Sequence, residues 1–153
     1  MTALRPSCAP VDLTWLLTRA ARRMRAELDT AAREHELAGI RDWVVLTALT
    51  RSEGRTQLQL GRDLGVDRTT LTLLVDRLEG DGLVVRRHDL RDRRVRIPHI
   101  TDAGRDRQAR VARTCEAAEA RLLSGFTAQE RQALRSLLLR LAEWPEEPGE
   151  AGR

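Results

Sequence analysis

Apolar residues recur along most of this chain at steps of three and four, a spacing that predicts helices. Between 11 and 36 the stripe is Leu13, Leu16, Leu17, Ala20, Met24 and Leu28, with Asp12 placed to cap the start and Gly39 following the end. A second helix is expected from about 42 to 51, burying Val44, Val45, Ala48 and Leu49 before the break at Ser52-Glu53-Gly54. Two shorter ones, 56–64 and 67–80, meet at Gly65-Val66. The pattern then loses its helical period. LVVRRH and RVRIPHI are rich in β-branched residues and joined by a polar link, which predicts a hairpin. Pro98 has no N–H to give a ladder, so its strand should be an edge or end there. A fifth helix opens at Thr101-Asp102-Ala103-Gly104 and runs to about Ser124. Its stripe Val111, Cys115, Ala118 and Leu122 is spaced 4, 3 and 4, as in a coiled-coil seam. Thr127 and Glu130 form a capping box for the last helix, lined by Leu134, Leu137, Leu138 and Leu141. Residues 144–153 are rich in Pro, Gly and Glu, and a frayed, disordered tail is expected. The order α-α-α-α-β-β-α-α, without an internal repeat, is that of a mainly α fold.

Composition narrows the function. The 153 residues suit one domain with extensions, and 41% apolar content excludes a disordered chain despite 33% charged residues. No apolar run is long enough to span a membrane, and the N-terminal stretch does not read as an export signal, so a cytoplasmic protein is expected. All 27 basic side chains are arginines, whose planar forks suit phosphates and guanine edges. Tyrosine is absent and there are only four other aromatic residues, too few to stack unpaired bases. A nucleic-acid partner would therefore be a duplex. The charge is concentrated: residues 86–96 hold six arginines against two aspartates, a local excess of +4 that equals the net charge of the whole chain.

The stretch QLQLGRDLGVDRTTLTLLVDRL, residues 57–78, has the grammar of a helix-turn-helix. Gly61 is placed on the inner side of the first helix, where a bulkier residue would force the helices apart. Gly65 supplies the tight turn with positive φ. Leu58, Leu60 and Leu64 are expected to face the core, as are Leu71, Leu74, Val75 and Leu78 on the second helix. Asp67 is a good N-cap, which leaves Arg68, Thr69, Thr70 and Thr72 in the first turns, the end of such a helix that meets base edges in the major groove. A packed helical hairpin with a solvated basic loop would show much of the same pattern. The arginine-rich hairpin directly after the two helices favours phosphate and minor-groove contact instead.

From residue 56 to Gly104 the sequence resembles the MarR family of winged helix-turn-helix transcriptional regulators, and the flanking helices extend the resemblance over most of 11–143. That family's Asp-x-Arg wing motif falls on Asp92-Arg93-Arg94, and its closing Leu-Thr-x-x-Gly appears as Ile100-Thr101-Asp102-Ala103-Gly104, a mild departure. The resemblance implies a winged helix-turn-helix domain over 11–143, with a two-stranded wing, a DNA-binding lobe at about 54–100, and dimerisation helices at about 11–36 and 102–143. It further implies that Arg94 reaches into the minor groove and Asp92 helps hold the wing. With the residue reading, the candidate DNA-binding set is Thr56, Gln57, Arg68, Thr69, Thr70, Thr72, Arg77, Arg91, Asp92, Arg93 and Arg94. The implied partners are a second copy of the chain, a pseudo-palindromic duplex operator, and a small aromatic or anionic effector. The expected function is that of a bacterial homodimeric repressor. Trp15 and Trp43 are the candidates for lining an effector pocket, although tryptophans at such positions also serve as core.

Other chemistry is not indicated. His35, His88 and His99 are scattered without metal-ligand spacing, no phosphate-binding Gly-rich loop ends in lysine, and no nucleophile has a positioned base. No cofactor, metal or catalytic site is expected. A redox-sensing branch of the family uses a first-helix cysteine with tyrosines. Here Cys8 lies upstream of that helix, and Cys115 belongs to the apolar seam. The alternatives to a DNA-binding regulator are a winged-helix module whose basic hairpin meets an acidic protein, and a cysteine-based redox sensor.

Overall fold

A computed structural model describes residues 12–142 apart from 90, 91 and 93. Cys8, Arg91, Arg93 and the tail at 144–153 therefore lie outside the described residues. The elements are α1 (Leu13–Arg33), α2 (Ile40–Arg51), α3 (Gln57–Leu64), α4 (Arg68–Gly80), β1 (Val84–His88), β2 (Arg96–Ile100), α5 (Asp102–Leu122) and α6 (Ala128–Ala142). The chain divides into two compact units, residues 1–119 and 120–153, with α5 passing from the first into the second.

The first unit is a winged helix-turn-helix. Its core gathers Leu46 from α2, Leu60 from α3, Leu71, Val75 and Leu78 from α4, Val84 from β1 and Val111 from α5, all almost fully buried. The four α4 positions expected to face the core do so: Leu71, Leu74, Val75 and Leu78 are buried. On α3, Leu60 is buried and Leu64 half-buried, but Leu58 is 58% exposed. An eight-residue helix presents a narrow buried stripe, and Leu58 falls outside it. The seam on α5 also resolves differently from a coiled coil. Val111, Cys115 and Ala118 are buried within the chain itself, the first two in the same cluster as α2 and α4.

Two boundaries differ from the periodicity reading. Helix α1 stops at Arg33, not at 36, because Glu36 adopts φ 58° and lets Leu37 N–H donate to Ala32 O at 3.2 Å. A left-handed residue after the last turn is a common helix stop, here filled by glutamate instead of glycine. Gly39 is needed for closeness: an added Cβ would lie 2.8 Å from Asp29 Oδ1. That same oxygen accepts the Ile40 N–H at 2.8 Å, so α1 caps α2, which starts two residues earlier than expected.

The two strands are antiparallel, with Arg86 opposite Pro98 and His88 opposite Arg96. In a two-stranded sheet both strands are edges, which suits Pro98, although it sits mid-strand and buried. Thr101 closes the hairpin on the body: its hydroxyl donates to Gly82 O at 2.8 Å and accepts the Gly104 N–H at 3.1 Å. At Gly104 an added Cβ would stand 2.2 Å from Leu83 O, so only glycine lets α5 begin there.

In the second unit, α6 starts at the expected capping box, with Thr127 N–H donating to Glu130 and Glu130 N–H donating to Thr127 Oγ1. It buries none of its residues, and Leu134, Leu137, Leu138, Leu139 and Leu141 remain exposed. Among the described residues no helix is long and apolar enough to cross a membrane.

Candidate nucleic-acid interface

The helix-turn-helix is set by local hydrogen bonds that the sequence specifies. Thr56 caps α3: its hydroxyl accepts the Gln59 N–H at 3.3 Å, and Gln59 Oε1 accepts the Thr56 N–H at 3.0 Å. Gly65 ends the helix at φ 60°, while Val66 N–H donates to Gly61 O at 2.9 Å. At Gly61 an added Cβ would lie 3.0 Å from Val66 O and 3.5 Å from Leu71, so the tight approach foreseen there is present. Asp67 then caps α4 by accepting the Thr70 N–H at 2.9 Å. Hydrogen bonds from Thr70, through its hydroxyl and its N–H, hold the Asp67 carboxyl below the usual carboxylate range.

This capping decides which side chains of α4 remain available. Arg68 and Thr69 are exposed, and Thr70 and Thr72 are half-buried. The Thr72 hydroxyl donates to Arg68 O at 2.9 Å and lies 3.5 Å from Gln57 Nε2, which ties the start of α3 to α4. Thr56 and Gln57 thus have structural engagements, and so does Arg77, whose guanidinium meets Asp42 at 2.5 Å. Leu73 stands outside the core stripe of α4 that takes its other leucines. It is 63% exposed, one helical turn beyond Thr69. The four-residue step from Thr69 was the signal that could have found it.

The hairpin tip is folded by Asp92. Its carboxylate accepts the Arg94 N–H at 2.9 Å, and its carbonyl accepts the Val95 N–H at 2.9 Å. An aspartate that bonds to the backbone two residues on is a standard turn-forming device. Arg87, Arg94 and Arg96 are exposed. Arg86 is not: its side chain is 11% exposed and pairs with Asp76 and Glu79 of α4. Counting Arg86 with the DNA-facing charge of the hairpin is therefore corrected: its guanidinium is engaged within the protein.

The two tryptophans lie in separate hollows. Trp43 lines a crevice of about 490 Å³ between α2 and α3, together with Val44, Ala48, Leu60 and Leu64, with Arg51 and Arg55 also in its wall. Its indole N–H donates to Gln108 O at 3.1 Å, which fixes the ring against α5. Trp15 lines another hollow with Thr18, Arg19 and Arg22, and Arg19 stacks on its ring at 5.1 Å. Cys115 is buried, and desolvation raises its thiol above the ordinary cysteine range. His35 Nε2 lies 2.7 Å from Thr114 Oγ1, a link between the end of α1 and α5. Among the described residues no group of three potential metal ligands occurs.

Comparison with known proteins points in one direction. Residues 40–95 match the model of the MarR family. The HTH-type transcriptional regulator YdgJ of Bacillus subtilis (strain 168) is 29% identical over 97 residues, which span 63% of this chain but only 59% of YdgJ. The transcriptional repressor CouR bound to a 23-mer DNA duplex is 32% identical, with a TM-score of 0.79, covering 86% of this chain and 92% of CouR. CouR from Rhodococcus jostii RHA1 bound to p-coumaroyl-CoA superposes with a TM-score of 0.77 at 28% identity, covering 90% of this chain and 96% of that one.

Proposed function

This chain belongs to the MarR family of transcriptional regulators, and on that premise we propose that it is a sequence-specific, duplex-DNA-binding repressor that works as a homodimer in the bacterial cytoplasm. The observation that carries the reading is the opening of α4. Arg68 and Thr69 stand exposed at a capped helix start, directly before a hairpin that exposes Arg87, Arg94 and Arg96. A helix N-terminus with exposed polar side chains suits base edges in a major groove, and a basic hairpin beside it suits the adjacent backbone and minor groove. In this proposal Arg68, Thr69, Thr70 and Thr72 read bases or nearby phosphates. Thr56 and Gln57 meet the backbone at the start of α3, and the wing acts through Arg91, Asp92, Arg93 and Arg94. Arg77 serves α4 through its pair with Asp42 rather than by direct contact. Residues 54–100 form the DNA-binding lobe, and α1, α5 and α6 the dimerisation helices. The exposed leucines of α6 support that assignment, since a large apolar surface marks an interface. No catalytic role is proposed.

Release by a small molecule completes the reading. CouR has been captured both with DNA and with p-coumaroyl-CoA, an aromatic, anionic ligand. The crevice at Trp43 offers an aromatic wall and Arg51, with Arg55 paired to Asp63 in the same wall, and we place the effector there; Trp15 lies in a different hollow.

The test is selection of duplexes from a random pool, followed by titration at several salt concentrations. Selective binding to an enriched pseudo-palindrome, weakening steeply with salt, is expected. Equal binding to scrambled duplex would favour the rival, a basic hairpin that meets an acidic protein. Unchanged DNA binding after peroxide treatment is expected as well, because the described cysteine is buried and its thiolate disfavoured.

A further inference from the structure

Arg86 differs from its neighbours in where its charge goes. Its guanidinium reaches Asp76 at 2.5 Å and also meets Glu79, two carboxylates three residues apart on α4 and therefore on one face. Its backbone N–H donates to Glu79 Oε1 at 2.9 Å. The ladder explains why that N–H is available. Arg86 faces Pro98, which has no N–H, so this pair cannot be one that exchanges two backbone bonds. The flanking bonds agree, with Thr101 N–H donating to Leu83 O at one end and Asp89 N–H to Val95 O at the other. The Arg86 N–H thus points away from β2, and without Glu79 it would be an unmatched donor at the foot of the wing. The Arg86 N–H and guanidinium together hold the Glu79 carboxyl below its ordinary range, with Arg96 adding to the effect. The three charged groups carry a net charge of −1. Their sum attracts no phosphate.

We propose that Arg86 is a positioning residue: with Asp76 and Glu79 it brackets the wing onto the recognition helix, fixing the angle at which the hairpin and the start of α4 meet one duplex together. Selectivity then depends on a residue that touches no DNA. A wing free to swing would still find phosphates, but its minor-groove contact would lose register with the base contacts of α4. This inference rests on the DNA-binding reading above, and its test separates the two.

Three variants are compared with the wild type, each first shown by circular dichroism and sedimentation to keep fold and assembly: Arg86→Met, Glu79→Ala, and Asp76→Asn combined with Glu79→Gln. The probes are the duplex that the wild type selects from a random pool and a random duplex of equal length. If Arg86 were a phosphate contact, Arg86→Met would lower the slope of log K against log salt by about 0.9. Removing two carboxylates would then tighten binding to both duplexes. The bracket gives the opposite pattern: the salt slope of Arg86→Met is unchanged, and the double variant loses about ten-fold in preference for the selected duplex while binding the random one at least as well. Hydroxyl-radical footprints should lose the minor-groove protection flanking the site, while guanine N7 protection by α4 persists. A lowered slope, or retained selectivity in the double variant, overturns the bracket.

Amide exchange in the protein alone gives an independent reading. Glu79→Ala should speed exchange at Arg86 and across 84–88 relative to the α4 amides. Unchanged exchange there overturns the proposal whatever the DNA result. If the wild type selects no duplex, the DNA-binding reading fails by itself, and the exchange measurement still decides whether the wing is bracketed.

Discussion

Asp42 and Arg77 join the second helix to the recognition helix through an ion pair of 2.5 Å in which only one partner is buried. The Asp42 side chain is 2% exposed and that of Arg77 44%, and the second carboxylate oxygen of Asp42 accepts the Ala38 N–H at 2.9 Å. The loop between α1 and α2 and the C-terminal half of α4 thus hang on one buried carboxylate.

That asymmetry predicts unequal consequences for the two partners. Arg77→Ala leaves a buried carboxylate with a single N–H donor and should lose about 3 kcal/mol, the low end for a broken buried pair because water reaches the arginine side. Asp42→Asn keeps an oxygen for Ala38 and leaves Arg77 free to turn to solvent, and should lose about 1 kcal/mol. Urea denaturation of both variants gives the order. A larger loss for Asp42→Asn would mean that the negative charge of Asp42 itself contributes more than the cost of leaving it unpaired.

The pair also shows where sequence reading reaches its limit. Local devices were legible: the capping box at Thr127, the Asp67 cap, the left-handed Gly65 and the close approach at Gly61 all arise within one short stretch of chain, whereas the capping box at Thr56 emerged only in the structure. The other missed features join residues on different elements. Asp29 caps α2 from α1, Asp42 reaches Arg77 over 35 positions, and Arg86 folds back on Asp76 and Glu79. An aspartate on a polar-looking helix face and an arginine in a basic run carry no mark of a distant partner. Charge counting therefore assigned Arg77 and Arg86 to the solvent or to DNA, while the geometry uses both within the protein.

Acid should weaken the recognition helix through two of its carboxylates. Asp67 and Glu79 are both held below the usual carboxylate range by hydrogen bonds, from Thr70 and from Arg86 respectively. A carboxyl whose folded pKa is depressed contributes stability above its unfolded pKa, about 4, and loses it as pH falls through the folded value. Stability should therefore drop between about pH 5 and 3. The Asp67→Asn, Glu79→Gln double variant should be less stable at neutral pH and fall less over that interval. Parallel denaturant midpoints at four pH values check this, and identical pH profiles would assign the acid loss to other groups.

Assembly should depend on α6 and not on the wing. Leu137 and Leu141, one turn apart, are 59% and 55% exposed, and no residue of α6 is buried within the chain. Leu137→Arg combined with Leu141→Arg should give a monomer in sedimentation. Replacing Arg91, Arg93 and Arg94 with alanine should leave the dimer intact. Monomers from the wing variant would relocate the interface.

Base preference should reside at the start of α4. Arg68 is exposed one position after the Asp67 cap, where a fork of donors can meet a guanine edge. Arg68→Ala should cost about 1–3 kcal/mol on the selected duplex, relax preference at one base pair, and change random-duplex binding little. An equal loss on both duplexes would make Arg68 a phosphate contact.

Asp92 should help binding although its charge opposes it. In a loop whose other charges are mostly arginines, a carboxylate lowers the attraction to phosphates, so electrostatics alone predicts tighter binding for Asp92→Ala. The turn argues otherwise. Asp92 accepts the Arg94 N–H at 2.9 Å through its side chain and the Val95 N–H at 2.9 Å through its carbonyl, and so shapes the backbone that carries Arg94. Without the carboxylate the first of these bonds is lost, and the tip gains conformations that must be given up on binding. Arg94→Ala should weaken binding to the selected duplex and reduce the salt slope by about 0.9, the signature of one cation removed from DNA. Asp92→Ala should weaken binding with its slope unchanged, because every cation remains. Asp92→Asn, which keeps an oxygen for the Arg94 N–H, should recover most of the loss. Titration of the three variants at two salt concentrations distinguishes the cases. If Asp92→Ala binds more tightly than the wild type, the wing acts as a patch of charge and its turn has no part in recognition.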